Sequence, residues 1–89
     1  MGNLYLIDKP LESNALALAA RDDEAIVVLV QDGVYVDGSA LGNSGRPVYA
    51  VKRDVERRGL TGRLPDGVRA IDFGELVDLI VAHKVVNFA

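Results

Sequence analysis

Residues 25–30 form an unbroken run of six aliphatic side chains, and the run ends abruptly at Gln31, Asp32 and Gly33. A strand with one face in water alternates apolar and polar residues, whereas a parallel strand covered on both faces is apolar throughout. We therefore expect residues 25–30 to form an inner strand of a parallel sheet. The polar residues that follow mark the point where this strand reaches the surface at its carboxyl end.

Other segments of the chain are short, apolar and bounded by turn residues, as strands are. We predict further strands at residues 4–7, 48–51 and 68–71, and a short edge strand in the tail at 84–89. Helical segments lie between them, and strands that alternate with helices imply right-handed crossovers in a parallel sheet. The fold class predicted is α/β: a small three-layer domain with a mainly parallel four- to five-stranded sheet flanked by helices.

The predicted helices are located by their ends. The first is expected to begin at an N-cap of Ser13 or Asn14, the second to cover residues 52–58 and end at Gly59, and the last to follow an N-cap at Asp72. Between the second and third strands, the chain is rich in glycine and matches neither a phosphate loop nor a dinucleotide-binding fingerprint. We expect a surface loop there.

Composition limits the size of the core and the classes of partner. The chain has 89 residues, which predicts a single domain over 1–89, and it is 49% hydrophobic but only 6% aromatic, so the core is expected to be aliphatic. A domain this small buries only about 60–65% of its unfolded surface, which favours association with other subunits. The net charge of −3 argues against direct binding of nucleic acid.

Several kinds of site are disfavoured by the residues present. The chain has no cysteine, which excludes disulfides and thiolate ligands, and His83 is its only histidine, so neither a metal site nor a cofactor is expected. No serine lies in a nucleophile motif. No apolar run reaches the roughly 18 residues of a membrane span, and the first residues do not resemble a signal peptide, so we expect a cytoplasmic protein away from the membrane.

The carboxyl ends of parallel strands meet at one edge of a sheet, where α/β proteins bind ligands and partners. Polar residues follow the predicted strands there. We take six of them as a candidate partner-interface rim: Gln31, Asp32, Gly33, Tyr35, Lys52 and Asp54. A simpler interpretation of Asp32 and Gly33 is a turn. Likewise, the cations among residues 52–63 fit a solvated helix face better than an anion-docking patch.

Three blocks of the sequence resemble the DsrH/TusB family of DsrE/DsrF/DsrH-like sulfur-relay proteins. They are VLVQDGV at 28–34, VYAVKRDVERRGLTG at 48–62 and IDFGELVDLIVAHK at 71–84. Their order and spacing match as well, and the resemblance extends from residue 4 to residue 84. The middle block is the most specific, because an aliphatic strand followed by Lys-x-Asp-(x)4-Gly-Leu-Thr-Gly is an unusual combination.

The resemblance implies a DsrE-like fold and a subunit of a cytoplasmic sulfur-relay complex. Its expected partners are DsrE/TusD-like and DsrF/TusC-like sister subunits, and the complex would act in thiolation of the tRNA wobble uridine or in sulfur oxidation. Some family members carry a cysteine in the first helix, and the matching position of this chain falls near Ala17. Many members end in an aromatic tail, where this chain has Phe88. A chain without a thiol is expected to be a non-catalytic subunit. The alternative is a stand-alone homo-oligomer that binds an anion or nucleotide at the strand rim.

Overall fold

The computed structural model of the chain describes residues 3–8, 12–35, 46–65 and 67–88. Most of the glycine-rich segment, residues 36–45, lies outside this part. The strands are β1 (Asn3–Ile7), β2 (Ile26–Leu29), β3 (Val48–Val51), β4 (Val68–Ile71) and β5 (Lys84–Phe88). The helices are α1 (Glu12–Ala20), a 3-10 helix (Gln31–Tyr35), α2 (Lys52–Arg57) and α3 (Phe73–Ala82).

The five strands form one sheet in the order β4-β3-β2-β1-β5, and every neighbouring pair is parallel. The predicted α/β class is therefore confirmed. β2 lies between β1 and β3, and Val27, Val28 and Leu29 are fully buried although they point alternately to the two faces. This explains why the run at 25–30 has no polar residue: its side chains pack into the apolar clusters on both faces of the sheet.

The strand order also decides which helices share a face. The connections from β1 to β4 all step in one direction across the sheet, whereas the connection from β4 to β5 returns in the other direction. With right-handed crossovers, the earlier helices lie on one face and α3 lies on the opposite face. The buried residues agree, because Ala15 of α1 and Val55 of α2 belong to one apolar cluster and Leu76 of α3 belongs to another.

The predicted helix ends were confirmed in two places and wrong in one. Asp72 caps α3 in a capping box with Glu75, and Gly59 follows α2 with a φ of +66°, which glycine adopts without strain. The first helix begins earlier than predicted, so Ser13 and Asn14 lie inside it. The preference of Ser and Asn for the N-cap is worth only about 1 kcal/mol, so it does not by itself set where α1 starts.

Candidate functional site

The rim at the carboxyl ends of the strands is built from two short helices. The 3-10 helix follows β2 after Val30, and α2 follows β3 directly. The residues after β1 to β4 are Asp8, Val30, Lys52 and Asp72. Since all strands are parallel, these positions share one edge of the sheet, as expected for Lys52, and the 3-10 helix brings Asp32 to the same edge.

Gln31 and Asp54 join the two helices of the rim. The backbone N–H of Gln31 donates a hydrogen bond of 2.9 Å to Oδ2 of Asp54. Gln31 has a φ of +50°, in the left-handed region that non-glycine residues seldom occupy. The bond from Asp54 offsets part of the cost of this conformation, and it fixes the direction in which the chain leaves β2.

Arg58 joins the same two helices through its side chain. Its Nε donates to Oδ1 of Asp32 at 2.9 Å, and its Nη1 lies 3.5 Å from Oδ1 of Asp54. The hydrogen bond to Asp32 raises the pKa of the Arg58 guanidinium above its usual value, and the charges of Asp32 and Asp54 act in the same direction. Arg58 therefore remains charged and serves as a bridge across the rim.

Gly33 is buried beneath the rim. Its N–H donates to the carbonyl oxygen of Val30 at 2.8 Å and to Oδ1 of Asp8 at 3.1 Å. A Cβ at this position would overlap the carbonyl oxygen of Ile7 and lie 3.0 Å from the Cα of Asp8. Because Gly33 has no side chain, the 3-10 helix can pack closely against the backbone of β1, and this is the role of Gly33 in the rim.

Gln31, Tyr35 and Lys52 are the exposed members of the rim that have long side chains. Tyr35 is 51% exposed, and Lys52 is exposed at the first position of α2. Tyr35 lines an open cleft of about 490 Å³ together with Asp32, Arg57 and Arg58. An exposed aromatic ring beside fixed charges is suited to contact with another protein surface.

A second cleft, of about 360 Å³, connects the rim to α3. Its wall includes Gln31, Arg53 and Asp54 on one side and Phe73 and Leu76 on the other. The surface of the rim therefore continues without interruption onto the last helix.

The described residues contain no group of three histidine, aspartate or glutamate side chains that could hold a metal ion. Nδ1 of His83 lies 2.8 Å from the carbonyl oxygen of Leu79, at the C-terminal end of α3. The ring of His83 therefore contacts the C-terminal end of α3. Within the described ranges, no helix has both the length and the apolar character needed to cross a membrane.

A polar cluster at the opposite edge of the sheet was not predicted from the sequence. Asp22, in the turn after α1, accepts hydrogen bonds from Nδ2 of Asn3 at 3.1 Å, from the hydroxyl of Tyr5 at 3.2 Å and from the backbone N–H of Glu24 at 3.0 Å. The bond from Glu24 is the main reason that the pKa of Asp22 lies below its ordinary value. Burial, followed by the nearby Asp22, raises the pKa of Tyr5.

Comparison with known proteins places the chain in a family. The family model for DsrH-like proteins matches residues 9–86. The chain belongs to the DsrH family. This DsrH-family chain is 40% identical to Protein TusB of Photorhabdus laumondii over 72 residues, which cover 74% of each protein. It is also 40% identical to Protein TusB of Escherichia coli O81 over 75 residues, which cover 78% of this chain and 77% of the relative.

The resemblance inferred from the three sequence blocks is thus confirmed, and the fold shows what each block builds. The first block is the second half of β2 with most of the 3-10 helix, the second is β3 with α2, and the third joins the end of β4 to α3. Two of the three blocks form the rim of this DsrH-family chain, and the third forms the helix that continues it.

Proposed function

We propose that this DsrH-family chain is a non-catalytic subunit of a cytoplasmic sulfur-relay complex. Its partners in this proposal are a DsrE/TusD-like and a DsrF/TusC-like subunit. The observation that carries the proposal is the match to the DsrH family over residues 9–86. Both relatives described above bear the name TusB, which favours the branch that thiolates the tRNA wobble uridine.

The non-catalytic role follows from the chemistry of sulfur transfer. A relay protein accepts sulfur when a thiolate attacks a persulfide and holds the transferred atom. This chain has no cysteine. Ala17 is exposed on α1, in a cleft that it shares with Leu18 and Phe88. A methyl group there is chemically inert, so a partner must carry the persulfide.

The rim is the contact surface in this proposal. Asp54 and Arg58 hold the 3-10 helix and α2 together, so that Tyr35 and Lys52 stand on a rigid base. A rigid interface loses less conformational entropy on binding than a mobile one. Exposed aromatic rings are frequent anchors of protein interfaces, and charges around them steer association.

The alternative function, binding of an anion or nucleotide by a stand-alone homo-oligomer, has less support. The cleft beside Tyr35 does contain Arg57 and Arg58. However, the guanidinium of Arg58 is already bonded to Asp32, which lines the same cleft, and it also lies near Asp54. An anion entering the cleft would meet these carboxylates, which disfavours its binding.

The test is to co-express the chain with the DsrE/TusD-like and DsrF/TusC-like proteins of its source organism and to purify it through a tag. We expect a stable complex of the three proteins. When a persulfide donor labelled with radioactive sulfur is added, the label should reach a partner and leave this chain unlabelled. Failure to bind either partner, or a mass gain of one sulfur atom on this chain, would refute the proposal.

A further inference from the structure

The face of the sheet that carries α3 is only partly covered. The outer strands of a five-stranded sheet lie about 19 Å apart, whereas one helix is about 10 Å wide. Among the described residues, α3 is the only helix on this face. Four sheet residues of its apolar cluster are correspondingly only half-buried: Leu6, Ile26, Tyr49 and Val85. All-parallel sheets occur almost only with both faces covered, so something else is expected on this side.

The outer side of α3 is itself apolar. Phe73 is 74% exposed, Val77 40%, Ile80 38% and Val81 81%, and these are four of the six exposed large hydrophobic residues in the described part of the chain. Phe73 and Ile80 lie one helical turn from Leu76, which packs on the sheet, and Val77 and Val81 continue the apolar surface from there into solvent. An apolar surface wider than the side that packs on the sheet is typical of a helix that a second layer covers.

The charges on α3 and at its N-cap are all negative. Asp72, Glu75 and Asp78 are acidic, and no basic residue lies between Phe73 and Ala82. Asp72 and Glu75 are engaged in the capping box, and Glu75 also pairs with Arg69 at 3.1 Å. Asp78 is exposed and makes no hydrogen bond or ion pair with any residue that the structure describes. It is therefore available to a cation outside this chain.

We propose that the outer side of α3, defined by Phe73, Val77, Asp78, Ile80 and Val81 and called here the α3 face, is the docking surface for a sister subunit of the relay complex. The matching surface of that subunit is apolar and presents lysine or arginine to Asp78. This inference rests on the proposed function, because it assigns a place on the fold to one of the partners named there.

A second copy of the chain fits the α3 face poorly. In a two-fold contact the α3 face would meet the same face of the partner copy, where Asp78 would find no basic residue on α3. Such a contact lacks the charge complementarity that favours association. The basic surface of the chain, on α2, does not match either, because Val55, the apolar residue of α2, is buried.

The α3 face also adjoins the rim. Phe73 lines the same cleft as Gln31 and Asp54. A subunit seated on α3 would therefore reach the rim without a gap, and the two surfaces would form one continuous interface.

The test measures the dissociation constant between this chain and each purified sister subunit, by titration and analytical ultracentrifugation. Val81→Lys and Val81→Glu remove the same apolar group but add opposite charges, and Asp78→Lys reverses the native charge. Leu18→Lys is the matched control, because Leu18 is 47% exposed on α1, which packs on the other face. Every site is exposed, so the isolated variants should melt close to the wild type.

We expect Val81→Lys and Asp78→Lys to weaken binding to one sister subunit by about tenfold or more, as loss of an interface anchor does. Val81→Glu should weaken it less, and Leu18→Lys should leave it within about twofold. If the wild type binds its sisters and the α3 variants bind equally well, this inference is wrong while the proposed function stands. If Val81→Glu is the weaker binder, the partner is not basic and the inference fails. If the wild type binds neither sister, or if the variants change only self-association, the sister subunit is excluded as the occupant.

Discussion

Gly33 is the position at which we expect an added methyl group to lower the stability of the chain most. The residue is buried between the 3-10 helix and β1, and a Cβ would overlap the carbonyl oxygen of Ile7. That carbonyl accepts the N–H of Val30 at 3.0 Å. β1 is paired with β2 on one side and β5 on the other, so its backbone cannot move away. In Gly33→Ala, the 3-10 helix must move instead.

The cost of this movement has two parts. Overpacking of a filled interior costs about 1–3 kcal/mol, and the upper end applies where the obstacle is backbone. Moving the 3-10 helix also strains the bonds from the N–H of Gly33 to Val30 and Asp8, each worth about 0.5–1.5 kcal/mol. We expect Gly33→Ala to lower the free energy of unfolding by about 3 kcal/mol. For a domain of this size, the melting temperature should then fall by about 12–24 °C.

The assay is thermal and urea unfolding of the isolated chain followed by circular dichroism, with Gly74→Ala as the control. Gly74 lies inside α3, and a Cβ there would meet only Oδ1 of Asp72, at 3.5 Å. Alanine is a better helix former than glycine, so Gly74→Ala should stabilise the chain by about 0.5–1 kcal/mol. If Gly33→Ala melts within a few degrees of the wild type, the close approach of the 3-10 helix to β1 is not a real constraint.

Further predictions concern the interface, a helix cap and acid stability. Tyr35→Ala should weaken assembly by about 1–2 kcal/mol in binding titrations and leave the melting temperature of the isolated subunit unchanged. Lys52→Ala should slow association and reduce its salt dependence in stopped-flow measurements. Asp72→Ala should cost about 0.5–2 kcal/mol in urea unfolding, because it removes the capping box. The pKa of Asp22 is lower in the folded state than its ordinary value of 3.8. The stability that its carboxylate contributes is therefore present above pH 3.8 and is lost as the pH falls below that value. Asp22→Asn should for this reason flatten the decline in melting temperature at acid pH.

Most of the fold could be predicted because local patterns and the global fold agree in this chain. The unbroken run at 25–30 predicted β2, and its position between two strands explains the absence of polar residues. Asp72 was predicted as the cap of α3 because it precedes a helical pattern, and the structure adds that Glu75 completes a capping box. The first helix was placed too late because Ser13 and Asn14 resemble caps locally. The helix in fact starts at Glu12, because the weak preference of these residues for the N-cap does not by itself set the start of a helix.

The candidate site could be predicted only as far as strand ends allow. Parallel strands bring the residues that follow them, such as Lys52, to one edge of the sheet whatever the side chains do. Arg58 pairs with Asp32, which lies 26 positions away in the sequence. From the sequence alone, any nearby acid could have been the partner of Arg58. The contacts of Asp22 with Asn3 and Tyr5 likewise span 19 and 17 positions. Such contacts depend on the distance between elements, which periodicity does not encode.

The two faces of the sheet relate the size of the chain to its proposed role. One face is covered by α1 and α2, which pack Ala15, Ala19 and Val55 against it. The other is covered by α3, which buries Leu76 and leaves Phe73 in solvent. The free energy of unfolding of a chain of 89 residues is small, at about 0.05–0.15 kcal/mol per residue. Apolar surface that stays exposed in the isolated chain contributes nothing to this free energy. The same surface becomes a source of free energy once a partner covers it, so the fold of this chain and its assembly are expected to stabilise each other.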